Sequence, residues 1–224
     1  MTLFKKIAID FGKAVTAGVV ISFGATVFLS NPNRMFTSIL FSLGLCVVCG
    51  FGLNLYTGKI GDLATARTWY YPLFIVICWV GNLCGMWLSA LVLQTTRVRE
   101  TLQTEAQKLV DIKSGDSMLS LFVLGIFCGI LMYIAVALYR KGEEKYPVNL
   151  MGYIGIFLCV AVFIHCGFEH SIADMFYYTV TNSMGIGRSW LVLLTVSAGN
   201  AVGAMIFRLM DYYLVEHPKL KSLQ

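Results

Sequence analysis

The sequence places one histidine, His170, between an acid and a hydroxyl in the run Gly167-Phe168-Glu169-His170-Ser171, inside a long apolar stretch. An ionisable side chain at membrane depth is costly and marks a functional position by default. Histidine changes charge near neutral pH, so His170 could exchange a proton with a weak acid. It could equally be a structural ring whose nitrogens are satisfied by Glu169 or a loop carbonyl. Glu169 is open to three roles: a counter-ion, a loop cap, or a partner for a neighbouring subunit. Thr57 lies 113 residues before His170 and beside Gly58. In a loop it could present its hydroxyl and backbone N–H to a solute, and it could equally cap a helix. Phe41, Leu45 and Phe163 fall at helical spacing. They read as core, or as a constriction that gates by dewetting if a pore runs here. His165 has no such context and reads as a packed or interhelically hydrogen-bonded ring.

What must position these residues is a set of membrane spans. Six apolar stretches can be read against the ~20 residues that a ~30 Å hydrocarbon core requires. Four are single crossings, at residues 11–29, 72–93, 118–139 and 190–210. The second and fifth, residues 35–68 and 148–181, each cover 34 residues. As continuous helices they would be about 51 Å long, too long for one crossing and too short for two with a turn. Each also carries polar residues at its centre, Asn54 to Lys59 in one and Gly167 to Ser171 in the other. Both therefore read as broken helices, and irregular backbone at this depth survives only where protein buries it or a cavity hydrates it.

The two halves echo each other. Gly81-Asn82-Leu83-Cys84-Gly85 in the third span recurs as Gly199-Asn200-Ala201-Val202-Gly203 in the sixth, 118 residues later. Small residues at this spacing alone are ordinary helix packing. Together with the paired breaks they predict a single transmembrane domain built from a duplicated three-helix unit. Three spans per half is an odd number, so the halves, about 1–112 and 113–224, are inverted relative to one another, which is a transport architecture.

Composition agrees. The chain is 58% apolar and 13% charged, with a mean hydropathy of +0.75, whereas soluble domains are about 25% charged. A soluble globule, a disordered tail, a coiled coil and a nucleic-acid module are excluded, since the net charge of +5 is modest and dispersed. All seven cysteines lie in apolar runs, and the one C-x-x-C, Cys46 with Cys49, has no histidine or second pair nearby. Neither a metal nor a cofactor is expected. No G-x-S-x-G, no nucleotide loop and no metal-ligand cluster points to an enzyme.

Lys5, Lys6, Lys13, Arg67, Arg140, Lys141, Lys145, Arg208, Lys219 and Lys221 share one side of the predicted topology. Arg34, Arg97, Arg99, Lys108, Lys113 and Arg188 share the other. The bias of ten to six predicts a multi-pass protein of the inner membrane with both termini cytoplasmic. The N-terminus lacks a signal-peptide cleavage pattern. The connector at 94–117, with four basic and four acidic residues, reads as an amphipathic helix across the outer face.

Three motifs carry a family likeness. The run from Gly167 to Phe176 resembles the G-F-E-H-S-x-A-N-M signature of formate/nitrite transporters, Leu55-Tyr56-Thr57-Gly58 resembles their L-F-T loop, and Gly199-Asn200 with Gly203 resembles their G-N-x-x-G. The resemblance covers nearly the whole chain. It implies six helices in an aquaporin-like fold, assembled as a homopentamer with one pore per subunit. It implies passage of a small monovalent weak-acid anion such as formate, nitrite or hydrosulfide, with protons involved at a central His170 facing Thr57. Phe41, Leu45 and Phe163 then match a cytoplasmic slit, and Leu55, Tyr56 and Met132 an outer one. Lys113 matches a vestibule lysine, with Glu169 and Asn200 as supporting polar groups. Three departures stand out: Asp174 in place of Asn, Gly129 in place of a pore-facing Asn, and Asn54 in place of an acid. Asp174 is expected to be paired, because a free carboxylate would repel anions. The same fold also serves channels for water or small neutral solutes.

Overall fold

The apolar stretches resolve into helices joined by short turns in a computed structural model, which describes residues 2–145, 147–185 and 187–216. Lys219 and Lys221, counted in the charge bias, lie outside the described residues. Four helices are long and apolar enough to cross a membrane: α1 (Leu3–Ser30), α4 (Tyr70–Gln94), α6 (Met118–Lys145) and α9 (Gly187–Asp211). Two shorter apolar helices, α2 (Arg34–Gly50) and α7 (Leu150–His165), each stop within the protein. The chain resumes after them as α3 (Tyr56–Lys59) and α8 (Ser171–Val180). The connector forms α5 (Arg99–Gly115). No strand occurs among the described residues.

Both breaks open in the same way. Gly52 and Gly167 adopt positive φ, 59° and 68°. The following residues reach back, Leu53 N donating to Val48 O at 2.9 Å and Phe168 N to Phe163 O at 2.9 Å. Glycine adopts this left-handed conformation at little cost, and the backward bonds satisfy carbonyls at the helix end. Asn33 and Asn149 start the helices that lead into the breaks, accepting from Phe36 N at 3.1 Å and Gly152 N at 3.0 Å.

The structure moves one boundary. The first interruption occupies residues 51–55, and helix resumes at Tyr56, so Thr57 sits in a helical turn rather than in a loop. The reason is local: the Tyr56 N–H, which would be orphaned at a helix start, is taken by the Asn82 side chain. The long helices also run further than their apolar cores, α1 from Leu3 and α6 to Lys145, because hydrated termini continue the helix beyond the apolar region.

Glycines set the closest helix approaches. A Cβ on Gly18 or Gly85 would run into the Asn82 or Val15 backbone, fixing α1 against α4. A Cβ on Gly129 or Gly203 would run into the Asn200 or Ile126 backbone, fixing α6 against α9. Gly129 is therefore a packing position rather than the pore-facing one expected for it. On the outside, Phe23, Leu43, Val76, Trp87, Leu158 and Leu194 form an exposed apolar surface that suits lipid or a neighbouring chain.

Candidate functional site

Each break is tied down by one asparagine. Asn82 of α4 accepts from Tyr56 N at 2.8 Å and donates to Asn54 O at 2.9 Å and Ala14 O at 2.8 Å. Asn200 of α9 accepts from Ser171 N at 3.0 Å and donates to Glu169 O at 2.8 Å and Gly125 O at 2.9 Å. Both side chains are fully buried. Each therefore supplies, without water, a donor and an acceptor to the point where the interrupted helix resumes, and a donor to the helix beside it. Asn200 was a candidate from its motif. Asn82 was not, although the G-N-x-x-G echo was the signal that could have found it.

The two resumed helices begin at a shared contact. Thr57 Oγ1 lies 3.1 Å from His170 Nε2, and both residues are buried. His170 is the cap of α8, its Nδ1 accepting from Ala173 N at 3.1 Å. A ring nitrogen that accepts a backbone N–H carries no proton, so the proton is assigned to Nε2, and Thr57 Oγ1 accepts it. The Thr57 hydroxyl hydrogen then has no acceptor among the described residues. The site offers a neutral ring and one free O–H donor. The Phe163 ring stacks on the imidazole with centroids 5.4 Å apart, and Phe41 meets Phe163 edge-on at 6.0 Å.

A cavity lies on either side of this contact. The first, about 190 Å³, is lined by Phe163, Glu169, His170 and Asp174 under Lys113 of α5. The second, about 170 Å³, is lined by Leu55, Gly58 and Val136 with Lys59, Arg140 and Glu143 at the C-terminal end of α6. Phe163 thus belongs with the connector, and Leu55 with the opposite end. The two expectations of a cytoplasmic Phe163 and an outer-face connector therefore cannot both hold. The reason is chain direction: α2 and α7 approach the centre from opposite ends, so residues around the first break line one cavity and residues around the second break line the other. Leu45 and Met132 are buried in the core, and Phe41 and Tyr56 likewise line neither of these two cavities. The Tyr56 hydroxyl donates to Ser197 O at 3.0 Å, which ties α3 to α9.

Lys113 is not a free vestibule charge. Its ammonium bonds to Glu169 and lies 3.0 Å from Asp174 Oδ1. Burial alone would lower its pKa, but the Asp174 and Glu169 carboxylates outweigh that and hold it above the ordinary lysine value. Asp174 is paired as expected, and with the same cation as Glu169. Among the described residues no cluster could hold a metal ion.

An all-helical protein with membrane-length helices, whose two interrupted helices meet at a buried His–Thr contact, falls in the class of channels and transporters. Its family is a specific one. The family model "Formate/nitrite transporter" matches residues 4–214, and the chain belongs to that family. It is 27% identical to the uncharacterized transporter YHL008C of Saccharomyces cerevisiae, over 82% of this chain but only 31% of that protein. It is 26% identical to the formate channel FocA of Escherichia coli, over 92% of this chain and 85% of FocA. Among solved structures, a pentameric formate channel with formate bound matches at a TM-score of 0.78 and 23% identity, covering 96% of this chain and all of that one.

Proposed function

We propose that the chain is a pore-forming subunit passing small monovalent weak-acid anions, formate, nitrite or hydrosulfide, across the inner membrane. In this reading residues 1–224 form one channel domain of six spans, two inverted halves in an aquaporin-like arrangement, with both termini cytoplasmic. Five copies assemble, each with its own pore. The observation that carries it is the Thr57–His170 contact between two cavities, at the point where both interrupted helices resume.

Physical chemistry supplies the mechanism. An anion crosses a dry apolar constriction only at high cost, whereas its neutral acid crosses readily. Phe163 with Phe41 supplies the constriction on the connector side, and Leu55, with Leu45 and Met132 packed behind, supplies the other. Between them, His170 and Thr57 offer hydrogen bonds that replace water for a small oxygen- or sulfur-bearing solute. Proton exchange at His170 itself would require Nδ1 to release the Ala173 N–H, so the ring serves best as a donor through Nε2.

Uptake of formate, nitrite and hydrosulfide into proteoliposomes tests this, with wild type and His170→Asn side by side. Asn keeps an acceptor for Ala173 and does not titrate. Flux of all three in the wild type, surviving in the variant with the same pH profile, is the expected result. A profile flattened only in the variant would assign proton exchange to the ring. Absence of anion flux, with water permeation measured by vesicle shrinkage, would overturn the reading in favour of a neutral-solute channel.

A further inference from the structure

We propose that Asp174 is a proton-carrying acid of the connector-side cavity, which gives its proton to the incoming weak-acid anion. The inference rests on the weak-acid reading above and names the group that supplies the proton.

The charge count leads to it. One ammonium, Lys113, faces two carboxylates, Glu169 and Asp174, and all three side chains are buried. With every group ionised the cluster carries a net negative charge beside a cavity that an anion must occupy. The groups that face it are Lys113 of α5, Glu169 and His170 of the break, Cys128 of α6, and Tyr177 and Tyr178 of α8. None of them supplies a second cation. The nearest arginines are engaged elsewhere, Arg34 with Glu105 at 3.0 Å and Arg188 with the Ser114 and Asp116 carbonyls. Buried like charges around one counter-ion cannot all remain ionised without a large cost, and a single proton removes it.

The geometry places that proton on Asp174. Its Oδ1 faces Lys113, while Oδ2 is buried with no hydrogen-bond partner. An ionised carboxylate oxygen only accepts, so a buried one without a donor is the costly state. Protonated Oδ2 carries its own hydrogen. Asp174 is 1% exposed against 6% for Glu169, which keeps the hydrogen bond to Lys113. His170 cannot take the role, because its Nδ1 already accepts from Ala173.

The step balances. Rotation of the Asp174 carboxyl turns the Oδ2–H, buried at rest, toward the cavity that Asp174 lines; that bond then breaks as an O–H bond forms on formate, giving formic acid and an Asp174 carboxylate. Lys113 stabilises that carboxylate until a proton from water on the connector side restores the acid. The neutral formic acid then crosses the Phe163–Phe41 constriction.

Two measurements on purified wild type and Asp174→Asn test the proposal, the substitution being nearly isosteric and keeping an oxygen for Lys113. In the infrared spectrum at neutral pH, the wild type should show the C=O stretch of a buried protonated carboxylic acid, and the variant should lack it. A wild type without the band overturns the proposal. In proteoliposomes, the variant should match wild-type formate uptake at acid pH, where free formic acid is plentiful, and carry about tenfold less at neutral pH. An equal variant-to-wild-type ratio at both pH values overturns the transfer step. A wild type with the band but no formate flux at either pH overturns the weak-acid reading and the transfer step together, and leaves the proton site standing.

Discussion

The two cavities share a scaffold and differ in charge. On both sides a helix ends near a positive-φ glycine, an asparagine from a long helix ties the point where helix resumes, and a short helix follows at the centre. On the connector side the cation Lys113 is held by two carboxylates. On the other side Lys59 has no ion-pair partner among the described residues, and Arg140 meets Asp62 at 2.9 Å with its Nε and Nη2 unpartnered. A duplicated backbone plan therefore does not impose duplicated electrostatics: backbone bonds hold the shape, and a few side chains set the sign of the field. One cavity has its cation neutralised by acids, and the other keeps a cation without an ion pair among the described residues.

The largest expected effect tests the paired cation. Lys113→Met leaves the buried Glu169 carboxylate with no counter-ion and should destabilise the protein by about 3 kcal/mol, read from unfolding in detergent. A loss of under about 0.5 kcal/mol would mean that water reaches the cluster and the two mouths differ less than their charges suggest.

Next come the asparagines. Asn82→Ala and Asn200→Ala each remove three buried hydrogen bonds of similar length. Each should cost about 2–3 kcal/mol, and the two should agree within about 1 kcal/mol. A clear inequality in the same unfolding assay would break the structural equivalence of the two breaks.

The smallest effect concerns Lys59. Lys59→Met should leave stability within about 0.5 kcal/mol of wild type, because no ion pair is lost. It should raise the KM for formate by a few-fold at low ionic strength, with the difference shrinking as salt is added. An unchanged KM would remove Lys59 from anion attraction and make the two mouths alike in function.

How far the sequence foretold this site differs from residue to residue. The positions of the breaks were readable because 34 residues fit neither one crossing nor two, and because polar residues cluster at their centres. His170 and Thr57 followed from the same excess. Other features depend on how elements meet, which periodicity does not encode. The union of Lys113 with Glu169 and Asp174 requires α5 to lie across the second break, and the two partners are 56 and 61 positions away along the chain. Tyr56 reads as a pore aromatic by position, yet its hydroxyl bonds a carbonyl 141 residues away. That Phe163 shares a side with the connector and Leu55 does not could have been worked out from chain direction alone. Gly129 shows the limit of composition: a small residue in a pore helix and one at a helix crossing look the same until the neighbouring backbone is placed.

The reach of the asparagine bonds along the chain bears on how the protein is made. Asn82 binds nothing earlier than Ala14, 68 residues back, and Asn200 nothing earlier than Gly125, 75 residues back. Each break can therefore be locked by helices synthesised together with it, the first while the second half is still on the ribosome. The Thr57–His170 contact bridges 113 residues and joins the two halves. Contacts of longer reach, Tyr56 to Ser197 and Arg208 to Thr65, wait for α9, and a chain arrested before α5 would hold one half without its partner.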